Sequence, residues 1–86
     1  TTQWAPAKLG LQNAHAVTRG AGITVAVLDT GVDPTHPALQ GKLVPGYDLV
    51  NMDADPSEVP SPQGNVVYGH GTHAAGLIAL AAPDAQ

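Results

Sequence analysis

The stretch Ile23-Thr24-Val25-Ala26-Val27-Leu28-Asp29-Thr30-Gly31 decides the fold. Its first six positions are an almost continuous apolar run rich in β-branched residues. A strand with one solvated face would alternate apolar and polar residues. An unbroken run therefore predicts a central parallel strand covered on both faces. The run ends in Asp29, and Thr30-Gly31 lets the chain turn sharply. Open α/β sheets place ligands and catalytic groups at the C-terminal ends of their strands, and here that end carries a carboxylate.

Working outward, Gly20-Ala21-Gly22 punctuates the chain before the strand. Upstream, residues 4–18 carry Leu9, Leu11, Ala14 and Val17 at near-helical spacing. Gly10 interrupts them, so one or two short helices are expected, with Trp4 as a packing anchor. Downstream, Gly31, Pro34, Pro37 and Gly41 predict a loop over 30–42. Leu43 to Val50 predicts a second strand, weakened by Pro45 and Gly46. Residues 51–68, rich in proline and polar side chains, predict an irregular surface loop long enough to hold a functional or ion-binding role. From His70 to about Ala82 the chain is Ala- and Leu-rich and helical, and Pro83 stops it. Short helices, strand, loop, strand, loop, helix is the opening of an α/β domain with a parallel sheet. The last helix is expected to feed a further strand.

Eighty-six residues make at most one small domain or part of a larger one. Hydrophobic residues are 43% of the chain, yet there is no Phe, one Trp and two Tyr. Ala, Val and Leu must do the packing, with less area per residue than aromatics bury. An isolated chain of this kind is expected to be held by about 5 kcal/mol or less, and the pattern reads as a piece of a bigger core. Lys8, Arg19 and Lys42 face seven acidic residues, for a net charge of −4. With no basic stripe to neutralise phosphates, no nucleic-acid partner is expected. No apolar run approaches the roughly 20 residues of a membrane span. Thr1-Thr2-Gln3-Trp4 has neither a basic nor an apolar leader segment, so no signal peptide is read in this chain. Without cysteine there is no disulfide or thiolate metal site.

A second island, Gly69-His70-Gly71-Thr72-His73-Ala74-Ala75-Gly76, opens the last helix. His70 lies between two glycines, so backbone can approach closely and the ring can stand clear. Ala74, Ala75 and Gly76 make a helix face slim enough to pack on a sheet. Taken alone, Asp29 reads as a strand-end turn residue. With His70 it supplies two of the three side chains of a Ser-His-Asp hydrolase: a base and the carboxylate that orients it. His73 reads as a helix-core histidine with a satisfied hydrogen bond, because a zinc site would need a third ligand nearby. His15 and His36 read as surface or turn residues. Asp48, Asn51, Asp53 and Asp55 form an oxygen-rich cluster of the kind that hard cations take, or a solvated acidic turn.

The two islands together resemble the subtilisin-like serine proteases. Val27-Leu28-Asp29-Thr30-Gly31-Val32-Asp33 matches that family's aspartate motif, and Gly69 to Gly76 matches its histidine motif, in the family's order. Trp4 onward is similar to the start of such a catalytic domain, and Thr35-His36-Pro37 to the segment after the aspartate. The resemblance covers nearly all of residues 1–86, as the N-terminal part of a catalytic domain. It implies an α/β, three-layer, subtilisin-like fold with a parallel sheet, and serine endopeptidase chemistry in which Asp29 orients His70. His70 would take the proton of a serine hydroxyl attacking a peptide carbonyl. The family's serine, in a Gly-Thr-Ser-x-Ala motif, and its oxyanion-hole asparagine are not among these 86 residues. Ser57 and Ser61 lack that context.

The resemblance further implies a polypeptide substrate, a partner in the remainder of the catalytic domain, an extracellular location, and no cofactor required for chemistry. Many members bind calcium with an aspartate shortly after the His-Pro dipeptide, where this chain has Ala38 and Leu39. The Asp48–Asp53 loop resembles a second, weaker calcium loop of some relatives, so Asp48, Asn51 and Asp53 are the calcium candidates. Two other readings stand beside the protease. One is an inactive or structural subtilase fragment. The other is a homodimeric, retroviral-type aspartic protease in which two Asp29 carboxylates share a proton. Such subunits are strand-dominated and have no counterpart of the helix from His70.

Overall fold

The computed structural model describes residues 3–59 and 67–86. One or two short helices are expected before residue 18, and there are two, α1 (Trp4–Leu9) and α2 (Leu11–His15), with Gly10 in a left-handed conformation between them. A single 3-10 turn, Pro37–Leu39, sits in the loop after Asp29, and His36 caps it by accepting the Ala38 N–H on Nδ1. Helix α3 (His70–Ala81) starts and stops within a residue of the expected bounds. No described helix is long and apolar enough to cross a membrane.

The sheet is where the structure departs from expectation. Among the described residues there is no strand ladder, only two isolated bridges: Val32 with Ser57, parallel, and Asp48 with Asp53, antiparallel. Besides the Ile23 N–H on the Gly20 carbonyl, the described residues bond the 23–28 segment at one place. Gln86 donates its N–H to Ile23 at 3.0 Å, and Val25 donates to Gln86 at 2.6 Å, the alternation of a parallel pair. The second expected strand, from Leu43 to Val50, contributes only the Asp48 bridge. Pro45 lacks the N–H that a ladder requires. The physical reason is partnership. A parallel strand needs a neighbour delivered by a crossover of a dozen or more residues. Here α3 is that crossover, and Pro83–Gln86 is the segment that returns beside Ile23–Val25.

Packing follows the same division. Leu39 (2% exposed) and Ala85 (8%) are the buried apolar residues among those described, beside a small cavity of about 60 Å³ lined by Val25, Val27, Ala75 and Ile78. Leu28 is 86% exposed, so the central run lacks the cover its composition anticipates. The radius of gyration is 14.4 Å, against about 12 Å for a compact domain of this length. Accessible surface is 6519 Å², against roughly 4,700 Å² for a folded monomer of this size.

One close approach fixes where α3 begins. Gly71 is buried, and a Cβ built on it would lie 2.0 Å from the Gly31 carbonyl oxygen. In this chain Gly71→Ala is expected to lower stability by about 1–3 kcal/mol, the usual range for overpacking. Gly76→Ala, in the same helix with nothing within 4 Å of the new methyl, should raise helix content instead, by about 0.5–1 kcal/mol of propensity. Urea titration followed by circular dichroism at 222 nm checks both signs.

Candidate active site

Asp29 and His70, far apart in sequence, meet. The His70 Nδ1 atom lies 2.9 Å from Oδ1 and 2.9 Å from Oδ2 of Asp29. An ionised carboxylate can only accept, so the bridging proton belongs to Nδ1. In the neutral ring the other nitrogen, Nε2, then carries a lone pair. The His70 side chain is 67% exposed and that of Asp29 17%, so the carboxylate is largely covered while the ring faces outward. Asp29 is fixed from its own turn as well: the Thr30 N–H donates to its Oδ1 at 2.7 Å. That backbone hydrogen bond first, and the His70 ring second, hold the Asp29 carboxyl below the ordinary aspartate value. The arrangement is a histidine held in one tautomer and ready to take a proton on Nε2.

Helix α3 presents His70 at its first position because Gly69, with φ of 91°, turns the chain into the helix. Gly69 has no side chain with which to cap α3, and the orphan donors of a helix N-terminus need partners. They find them across the fold. The Gly71 N–H donates to Thr30 Oγ1 at 3.0 Å, and the His70 N–H to the Val67 carbonyl at 3.0 Å. The Gly69 N–H donates to Glu58 Oε1 at 2.7 Å, and the Thr72 hydroxyl to Glu58 Oε2 at 3.0 Å. The Thr30 hydroxyl donates to the same Oε1 at 2.6 Å. Burial acts to raise the Glu58 carboxyl, and these hydrogen bonds outweigh it, leaving it below the ordinary range. Glu58 is the residue that sequence reasoning missed. It lies in a proline-rich loop with no motif around it, and only the Val32–Ser57 bridge brings it beside the Asp29 turn.

The remaining candidates sit elsewhere. Asp48 accepts the N–H groups of Val50 and Asn51 on Oδ1 and the Asn51 amide on Oδ2, while Asp53 accepts the Asp55 N–H. Asp48, Asn51 and Asp53 thus come together as one hydrogen-bonded turn whose oxygens face its own donors. Among the described residues no three His, Cys, Asp or Glu side chains gather as a metal cluster. His73, expected in the helix core, is exposed instead and lines a cavity of about 580 Å³ with Asp33, His36 and Glu58. His36 is the turn residue expected. His15 is half-buried and its Nε2–H donates to the Ala81 carbonyl at 2.9 Å, a helix-end contact rather than a free surface side chain. Ser57 pairs with Val32, and Ser61 lies outside the described residues.

Comparison with known proteins matches residues 20–86 to the model of the subtilase family. The chain is 42% identical over 77 residues to thermitase of Thermoactinomyces vulgaris, covering 90% of this chain and 25% of that protein. It is 44% identical over 78 residues to a thermophilic serine proteinase of Bacillus sp. (strain AK1), covering 90% of this chain and 18% of the relative. To the serine protease AprX of Bacillus subtilis (strain 168) it is 40% identical over 78 residues, 91% of this chain and 15% of that protein. The chain thus spans a quarter or less of these relatives' lengths. Matching relatives include proteases named as extracellular and as intracellular, so kinship favours neither location.

The Asp29 hydrogen bonds predict a titration with a definite sign. Its carboxyl should titrate below 3.8, so the stabilisation from the pairing is complete above that value and is lost as the pH falls through the lowered one. Because the Thr30 N–H is the larger cause, His70→Ala should move the titration back only part of the way. The ¹³C shift of the Asp29 carboxyl carbon against pH reads both; a return to 3.8 in the variant would contradict the ordering of causes.

Proposed function

The chain belongs to the subtilase family, and from that premise we propose that residues 1–86 supply the acid–base half of a serine endopeptidase active site. The observation that carries the reading is the Asp29–His70 hydrogen bond with its proton on Nδ1. A serine hydroxyl, contributed by the remainder of the catalytic domain, attacks the peptide carbonyl and gives its proton to His70 Nε2. Asp29 stabilises the imidazolium that forms and keeps the ring oriented, and His70 then returns the proton to the leaving amine. Donors from the remainder of the domain receive the oxyanion. The chemistry needs no cofactor, and calcium has no step in it. In this reading the 23–28 segment is a central strand of the three-layer α/β fold, the substrate is a polypeptide, and the isolated 86 residues are inactive.

The aspartic-protease alternative requires Asp29 to face a second Asp29 and share a proton, which raises one of the two carboxyls. Asp29 faces His70 instead and its carboxyl is lowered. The geometry favours the histidine partner.

A fluorophosphonate probe is expected to leave the isolated chain unlabelled and to label a polypeptide that also carries the serine-bearing segment. Stoichiometric labelling of the 86-residue chain would overturn the division of roles. In the serine-bearing polypeptide, Asp29→Asn should lower kcat by about 10⁴ and His70→Ala by about 10⁶, with smaller effects on KM. Full activity of either variant in peptide hydrolysis assays would refute the assignment.

A further inference from the structure

We propose that Glu58 is a positioning residue of the Asp29–His70 pair, its one carboxylate tying the turn that holds the aspartate to the helix end that holds the histidine. The inference rests on the protease reading above and adds to it a side chain with no part in the triad. Each residue that Glu58 binds is a close sequence neighbour of one member of the pair. Oε1 accepts from the Thr30 hydroxyl at 2.6 Å and from the Gly69 N–H at 2.7 Å; Oε2 accepts from the Thr72 hydroxyl at 3.0 Å. Thr30 follows Asp29, Gly69 precedes His70, and Thr72 lies two residues after it.

The direction of each hydrogen bond follows from the charge. A carboxylate accepts only, so the Thr30 hydroxyl must point its proton at Glu58 and present a lone pair to the Gly71 N–H at 3.0 Å. By the same rule Thr72 donates to Glu58 and accepts the Asp33 N–H at 2.8 Å. Both threonines relay the carboxylate's orientation to a backbone N–H on the opposite island: Thr30 to α3, and Thr72 to the segment after Asp29. Glu58 is itself placed by backbone, donating its N–H to the Val32 carbonyl at 2.8 Å while the Val32 N–H donates to the Pro56 carbonyl at 3.0 Å. Charge-assisted bonds of this length are about twice as strong as neutral ones. The whole cluster therefore sets the register of the turn against the helix, and with it the Nδ1 to carboxylate distance.

The test is made in the serine-bearing polypeptide. Glu58→Ala is expected to lower kcat per titrated active site by about tenfold to a hundredfold, the range for a misplaced catalytic group, with KM within about twofold. The low-field ¹H resonance of the His70 Nδ1 proton should shift or broaden. Glu58→Gln keeps the shape and an acceptor for Thr30 and Gly69 but turns an amide NH₂ toward Thr72, so it should fall between Ala and wild type. It also serves if the Ala variant does not fold. Thr30→Val added to Glu58→Ala should cost little more than Glu58→Ala alone, because both cut the same relay. An unchanged resonance and kcat, full additivity of the two losses, or a loss that vanishes once activity is divided by titrated sites would overturn the proposal. If the wild-type polypeptide takes up no fluorophosphonate, the protease reading fails, while the Nδ1 resonance still reports whether Glu58 governs the pair.

Discussion

Gly71 lying against the carbonyl of Gly31 is the constraint on which the rest depends. A Cβ at Gly71 would come within 2.0 Å of that oxygen, so only bare backbone lets helix α3 begin where it does. Once the two backbones touch, Thr30 falls under the Gly71 N–H and Asp29 under the imidazole of His70. The cap of α3 is then tertiary. No side chain at its own N-cap bonds to it, and its first donors are taken by the Thr30 hydroxyl and, just before the helix, by Glu58. Making the helix end and making the acid–base pair are the same event, so a change that loosens one loosens the other.

The polar and apolar sides of the chain are completed to different degrees. The polar side closes on itself: turn, helix end and carboxylates satisfy one another over 29–33, 58 and 69–72. The apolar side does not. Leu28, Leu43 and Val44 stand open beside a groove of about 370 Å³, and the surface exceeds that of a compact monomer by roughly 1,800 Å². That excess is roughly twice the area that one partner contributes to a standard protein–protein interface, about 800 Å². Catalytic geometry can be set by a handful of short hydrogen bonds, but a core needs layers on both sides of its strand.

This division explains what could be read from the sequence. Helical spacing around Gly10, the small-residue run from His70 and the stop at Pro83 carry their own periodicity and breakers, so α3 was legible to within a residue and the region of α1 and α2 as short helix broken at Gly10. Asp29 and His70 were legible because glycines flank or follow them in dense motifs. The 23–28 segment was legible as a strand in composition only, since a strand exists through its neighbours and Gln86 is its one described partner from a distant part of the chain. Glu58 was invisible. Its role depends on the bridge between Val32 and Ser57, and nothing within the proline-rich loop marks one carboxylate among several. His73 failed the other way: its motif predicted a covered position, and the side chain is exposed beside an open cavity.

The placement of charge along α3 shows why a carboxylate outside the pair belongs beside it. A helix is positive at its N-terminus and negative at its C-terminus. The C-terminal end of α3 collects donors: His15 on the Ala81 carbonyl, Lys42 on the Pro83 carbonyl, and Arg19 against Asp84 at 2.9 Å. The N-terminal end collects the acceptors Asp29 and Glu58. In the proposed reaction, proton transfer to His70 would create a positive charge at the end of the helix that is itself positive, an unfavourable place for it. Asp29 opposes that charge by direct contact. Glu58 opposes the helix field at its source, by taking up the Gly69 N–H and, through Thr30, orienting the acceptor of the Gly71 N–H. Two of the three hydrogen bonds that align the pair, those from the Gly69 N–H and the Thr30 hydroxyl, thus also offset the charge that the proposed chemistry would create.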